Sequence, residues 1–181
     1  MTEQQEASED AVMTRIGQAV ILLHAGDREE ARNRLGEIWS EIGEEAHSLH
    51  RCTLAHYMAD AQDDPAEELA WDLRALTAAD GLAEGARAED VREGARDGVR
   101  NGPDQAVRVF YPSLHLSLAA DYVKLRRPEA ARVHLARARA ATGALGDDGY
   151  GNGVRAAIAR LERRLAAEPG EGPRPFPEQY P

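Results

Sequence analysis

The sequence predicts an all-α protein assembled from antiparallel helical hairpins, and three observations predict it. Alanine is the commonest residue, aromatics make up only 5% of the 181 residues, and isoleucine, valine and threonine together supply nineteen positions. Such a chain fills helices well and would make a weak sheet. Apolar residues recur three and four positions apart in window after window, the period of an amphipathic helix. Gly-Asp, Asp-Pro and Arg-Pro steps punctuate those windows at places where helices stop and restart. With 43% hydrophobic and 30% charged residues, the chain has the balance of a folded protein rather than a disordered one.

Taken in order, Ser8 is a fair N-cap, followed by Glu9 and Asp10 where carboxylates favour the helix dipole. Val12, Ile16, Ala19 and Leu23 then define one apolar face, and Gly26 stops the helix. Asp27 and Glu30 form a capping box for the next helix, whose buried stripe is Ala31, Leu35, Ile38 and Ile42, with Gly43 at the C′ position. The turn is so tight that the two helices must lie antiparallel, giving a first hairpin over about 8–43.

A second hairpin is predicted over 45–80. Leu49, Cys52, Ala55, His56 and Ala59 face inward from a helix over roughly 45–61. Asp64 caps the following helix, Pro65 takes its first position and Glu67 closes the box. Leu69, Leu73 and Leu76 carry its core stripe with Trp71 on the flank, and Asp80-Gly81 ends it. Residues 81–111 read as a charged linker or an extra exposed helix. Asp104 begins a short helix with Val107, Val109 and Phe110, and Pro112, which lacks an amide donor, breaks or kinks the chain.

The third hairpin spans 112–142. Leu114, Leu118, Ala119, Tyr122 and Leu125 line its first helix; Pro128 opens the second, with Ala131, Leu135 and Ala138 inward. A glycine-rich loop over 143–153 precedes a capping helix over 153–167 with Val154, Ile158, Leu161 and Leu165. The tail 168–181 carries too many prolines to join a core and is expected to be extended or disordered.

The segments LLHAGDREEARNRLGEIW and YVKLRRPEAARVHLARAR share one grammar. Ala19 and Ala119, Leu22 and Tyr122, Gly26 and Arg126, Ala31 and Ala131, Leu35 and Leu135, and Ile38 and Ala138 occupy matching places. This pattern resembles the tetratricopeptide repeat (TPR), and residues 52–76 look like a degenerate copy with a longer turn. The stretch FYPSLHLSLAADYVKLRRPEAARVHLARAR with the following GDDGYG is similar to short bacterial helical-repeat proteins of undefined function. The usual first-helix tryptophan is absent, and the second and third hairpins stand further apart than the usual period. The resemblance implies a short right-handed superhelix with a concave face, lined by the first helix of each hairpin, that holds a peptide or partner protein. Projected onto that face are His24, His56, Asp60, Ser113 and Lys124, with His115 beside them.

Charge excludes some functions. A net charge of −10 repels a phosphate backbone, so nucleic acid is not an expected partner. Residues 1–80 hold eighteen acids against six arginines, while 117–164 hold ten bases against five acids. The opposite signs describe two solvated surfaces, and they also permit head-to-tail self-association into a homo-oligomer or a structural assembly. No apolar run approaches a membrane span, and the acidic start MTEQQEASED lacks a leader's basic and apolar blocks, which predicts a cytoplasmic protein.

One cluster carries potential chemistry. His56 and Asp60 stand four apart on one helix, and Glu68 and Asp72 repeat that spacing on the next, so the four are a candidate metal site, or with His115 an acid–base site. The competing readings are solvated acidic pairs, a local His–Asp hydrogen bond and a structural His115. Cys52, the only cysteine, reads as a buried small hydrophobe. The loop Asp147–Gly153 fails as a phosphate loop, because Val154 and Arg155 follow its last glycine, and as an EF-hand, because Tyr150 and Ala159 replace ligands. No G-x-S-x-G motif is present and no cofactor is expected; the reading is a non-catalytic interaction module.

Overall fold

A computed structural model describes the backbone of residues 3–43, 48–93 and 103–167 and the side chains within 10–43, 48–81 and 108–167. Among these residues there are seven α-helices and no strand. They are α1 (Glu3–His24), α2 (Arg28–Ile42), α3 (Ser48–Asp60), α4 (Pro65–Glu93), α5 (Pro103–Lys124), α6 (Pro128–Ala141) and α7 (Gly149–Ala167), with a 3₁₀ turn over Thr142–Ala144. Consecutive helices pack antiparallel. Arg15 of α1 pairs with Glu41 of α2, His56 of α3 with Asp72 of α4, and Arg139 of α6 with Glu162 of α7. Between the second and third hairpins, Asp80 of α4 accepts from the Tyr111 hydroxyl of α5 at 2.6 Å.

The repeat grammar is written into hydrogen bonds. After α1, the Gly26 amide donates to Leu23 O at 3.1 Å and the Asp27 amide to Leu22 O at 3.0 Å. After α5, the Arg126 amide donates to Val123 O at 3.0 Å and the Arg127 amide to Tyr122 O at 2.8 Å. These are two copies of one helix stop in which the C′ residue takes a left-handed conformation. Gly26 does so at φ 91°, and Arg126, a residue with a Cβ, at φ 55°. Ala31 and Ala131 then bond back to Asp27 and Arg127 at the same 3.1 Å. The paired positions Ala19/Ala119, Ala31/Ala131, Leu35/Leu135 and Ile38/Ala138 are all buried. The turn between α3 and α4 is longer: Asp64 caps α4 by accepting from the Ala66 amide at 2.7 Å, while Arg28 and Arg32 of α2 hold Asp63.

The apolar groups gather at the joints between hairpins rather than in one central core. One cluster joins α1, α2 and α3 through Ile16, Leu35, Ile38, Leu54 and Met58. A second joins α3, α4 and α5 through Cys52, Ala55, Ala75, Ala79 and Leu114, and a third fills the space among α5, α6 and α7. Trp39 of α2 meets Trp71 of α4 edge to face at 5.1 Å, and Arg51 and Arg74 lie over the two rings. Each joint buries what a lone hairpin would expose, which is how a helical repeat is stabilised.

Several boundaries differ from those the sequence predicts. Helix α1 begins at Glu3, so Ser8 lies inside it rather than capping it. Helix α3 begins at Ser48; the expected start at 45 lies outside the described residues. Asp80-Gly81 does not end α4, which continues to Glu93. One glycine costs a helix only about 1 kcal/mol, and the alanines and long charged residues beyond it favour continuation. Pro112 does not break the chain either: α5 runs through it. The ring is fully buried, and the neighbouring Ser113 hydroxyl donates to Phe110 O at 2.8 Å. Helix α7 starts at Gly149, earlier than 153, because Asp148 caps it by accepting from the Gly151 amide at 2.7 Å.

The inward face of α4 is also rotated from the expected stripe. Asp72, Ala75 and Ala79 are buried, Leu69 and Leu76 are half-buried, and Leu73 is exposed. Helix α4 is packed by α3 on one side and α5 on the other, and close approach on both sides selects alanine at the contact while leucine fills the flanks. The expected tail over 168–181 and the linker residues 94–102 lie outside the described residues.

Candidate functional site

Where α3, α4 and α5 meet, local helix geometry delivers a charged cluster into the second joint. Helix α3 contributes His56 and Asp60, one turn apart; α4 contributes Glu68 and Asp72; α5 contributes Asp121 and Lys124. Asp72 and Asp121 are only 2% and 1% exposed. The His56 Nδ1 stands 3.2 Å from Asp72 Oδ1. The Lys124 ammonium donates to Glu68 Oε1 at 2.5 Å and lies 3.6 Å from Asp121 Oδ1. Asp121 Oδ2 is buried without a hydrogen-bond donor.

The environment sets the protonation of these groups. Burial, then the charges of Asp72 and Glu68 and a hydrogen bond with Asp72, push the Asp121 carboxyl up to about 8, against a smaller opposing pull from Lys124. The Asp121 carboxyl therefore keeps its proton at neutral pH, because a buried acid beside other carboxylates cannot ionise cheaply. Asp60, at the solvent rim, is raised by burial of its inner side and by Asp72 and Glu68, while His56 and Lys124 pull it down. Burial alone would lower His56, but its hydrogen bond and charge contact with Asp72 prevail and raise it. Burial alone would lower Lys124, yet its hydrogen bond and charge contact with Glu68, and then Asp121, hold the ammonium above its ordinary value. Cys52, beside Asp72, is pushed up to about 12 by burial first and by that carboxylate second, which leaves it an inert core thiol.

The residues projected from the sequence fall into three places. His56, Asp60 and Lys124 come together in this cluster, as do Glu68 and Asp72. Ser113 lies beyond it on α5, where its Oγ accepts from the Tyr150 hydroxyl of α7 at 3.0 Å. Tyr150 also lies near Tyr57 of α3, so α3, α5 and the start of α7 share one face. His24 is exposed in the last turn of α1. His115 does not face that surface. It is buried against α6, its Nδ1 3.1 Å from Nδ1 of His134, and its ring stacks near Tyr111. Burial first, then His134 and Arg137, lower it to about 4, so it is neutral at physiological pH. Among the described residues no three His, Cys, Asp or Glu side chains are grouped to hold a metal ion.

Asp121, Tyr57 and His134 were not among the residues the sequence singled out. Asp121 carries a legible signal: Leu114, Leu118, Asp121 and Leu125 follow helical spacing, which puts an acid on an apolar stripe. The pairing with Asp72 has none, because the two residues belong to different hairpins. No described helix is long and apolar enough to cross a membrane. No protein-family model, curated protein or solved structure matches the chain.

Proposed function

We propose that the chain is a non-catalytic docking module, a TPR-like array of three hairpins and a capping helix that holds a peptide or a partner protein on the face of its first helices. The carrying observation is the duplicated turn: Gly26 and Arg126 end α1 and α5 with the same hydrogen bonds, so both hairpins present their first helix in the same sense. Contacts from α1 to α3 and from α3 to α5 align those helices side by side. Repeats of this kind use the resulting continuous surface for binding. The histidines that an acid–base mechanism would employ are committed elsewhere, His56 to Asp72 and His115 to His134.

The test is selection of binders from a random-peptide display library, followed by affinity measurement on variants. Asp60→Ala and Tyr150→Ala alter the proposed face; Arg34→Ala, at an exposed position of α2, is the control. Binders should weaken at least tenfold with either face variant and keep their affinity for the control. Binders indifferent to the face variants, or none at all, would overturn the reading.

A further inference from the structure

A cleft of about 680 Å³ opens beside the tryptophan pair, lined by α2, the first turn of α3 and α4. Its walls hold two cations and, among the described residues, no acid. Arg51 lies 4.4 Å over the Trp39 ring and Arg74 lies 4.5 Å over the Trp71 ring, while the two rings meet at 5.1 Å. A ring face fixes the plane of a guanidinium and leaves its N–H edge free to bond. Arg51 donates to Gly43 O, and neither arginine is paired with a carboxylate among the described residues. Arg28, Arg32 and Arg34 of α2, by contrast, each hold a carboxylate. The Ser40 and Thr77 hydroxyls of the walls donate back to Gly36 O and Leu73 O. The two arginines and Ser48 are therefore the side-chain donors left to a ligand. Leu73, expected in the core from its spacing, is 39% exposed and gives the cleft an apolar wall.

We propose that this cleft binds a small phosphate monoester, with Arg51 and Arg74 on the phosphoryl oxygens and Leu73 and Trp39 beside the organic part. Charge selects the group. Near pH 8 a monoester carries about two negative charges, which match two guanidiniums, whereas a carboxylate carries one. Guanidinium edges also bond phosphoryl oxygens in parallel pairs. The volume falls within the roughly 300–1,000 Å³ of small-molecule sites. The chain's net charge of −10 does not forbid such a ligand, because screening at physiological salt limits its reach to about 8 Å while the two cations stand at contact. The site uses other residues than the docking face of the first helices and does not depend on that reading.

Trp39 and Trp71 are the two tryptophans of the chain and both lie under these arginines, so tryptophan emission reports on the cleft. The experiment titrates the full chain at pH 8 with phenyl phosphate and with phenyl sulfate, which keeps the shape and carries one charge, and repeats both by calorimetry. Phenyl phosphate should give a saturable change at millimolar concentration or below, and phenyl sulfate should bind about tenfold more weakly. Arg51→Gln and Arg74→Gln should each lose about tenfold. Arg34→Gln, the same charge change at an exposed position of α2, should lose little. No saturable change, equal binding of the two esters, or an equal loss in the control would overturn the proposal. A phosphotyrosine peptide that binds far more tightly than phenyl phosphate would overturn the assignment to a small molecule. Arg74 is exposed, so its variant remains informative should Arg51→Gln misfold.

Discussion

Replacing Asp121 by asparagine should stabilise the protein at alkaline pH and leave it little changed at pH 5. The carboxyl is held at about 8 in the fold against an ordinary value of 3.8. Between those two values the folded state holds a proton that the unfolded chain has released. Stability therefore falls as pH rises through the window, by about 1.4 kcal/mol per pH unit and on the order of 5 kcal/mol across it. A domain of this size has roughly 5–15 kcal/mol in total, so the alkaline loss is a large share. Asparagine keeps the shape, donates an N–H toward Asp72 and cannot ionise. Urea unfolding from pH 5 to pH 9 is the assay, with a constant m value showing that both proteins unfold the same surface. The wild-type free energy should decline towards pH 9 while that of Asp121→Asn stays nearly level, the two curves meeting near pH 5. Burial is the first cause of the shift and the Asp72 carboxylate the second, so Asp72→Asn should narrow the step without removing it. Parallel curves for wild type and Asp121→Asn would refute the proton held by Asp121.

The remaining predictions concern the turns and the histidine pair. Arg126→Gly should stabilise by about 1 kcal/mol in urea titration and Gly26→Ala should destabilise by a similar amount, because both positions have positive φ and a Cβ at Gly26 meets no atom within 4 Å. Opposite signs at the two matched positions are required; equal signs would break the structural correspondence of the turns. Gly151→Ala should cost about 1–3 kcal/mol and lower the melting temperature, since a Cβ there would lie 2.2 Å from Gly146 O. A variant as stable as wild type would show that the start of α7 is not pressed against that carbonyl. His115, lowered from 6.5 to about 4, contributes stability that is full above pH 6.5 and is lost as pH falls towards 4. The loss is on the order of 3 kcal/mol, and His115→Phe should flatten that acid limb without moving the alkaline one.

What was legible in the sequence and what was not separate along a physical line. The turns at Gly26, Asp64 and Arg126 could be read directly, because a helix stop or cap depends on a few adjacent residues. The stripes of α1, α2, α6 and α7 could be read as well, because each of those helices buries mainly one face. Helix α4 could not: with neighbours on two sides, its contact face follows the alanines, and leucine spacing points elsewhere. Its end was misplaced for a related reason, since an isolated Gly81 is a weak stop when the following residues favour helix. The charged cluster was half legible. The spacing of His56 with Asp60 and of Glu68 with Asp72 marked two of its walls. Lys124 is placed on the concave face by the repeat pattern but not tied to Glu68 or Asp121, and Asp121 shows only as an acid on an apolar stripe.

The sequence by itself determined the helical class, the hairpin turns and the matched positions of the first and third hairpins, all of which rest on local residue chemistry. Tertiary structure alone decided that Asp72 and Asp121, carried by separate hairpins, close on one another in a buried joint. Burial, with the facing carboxylates, then lifts Asp121 far above an ordinary acid. No spacing encodes that, because the energy of a charge depends on what surrounds it in space and not on its neighbours along the chain.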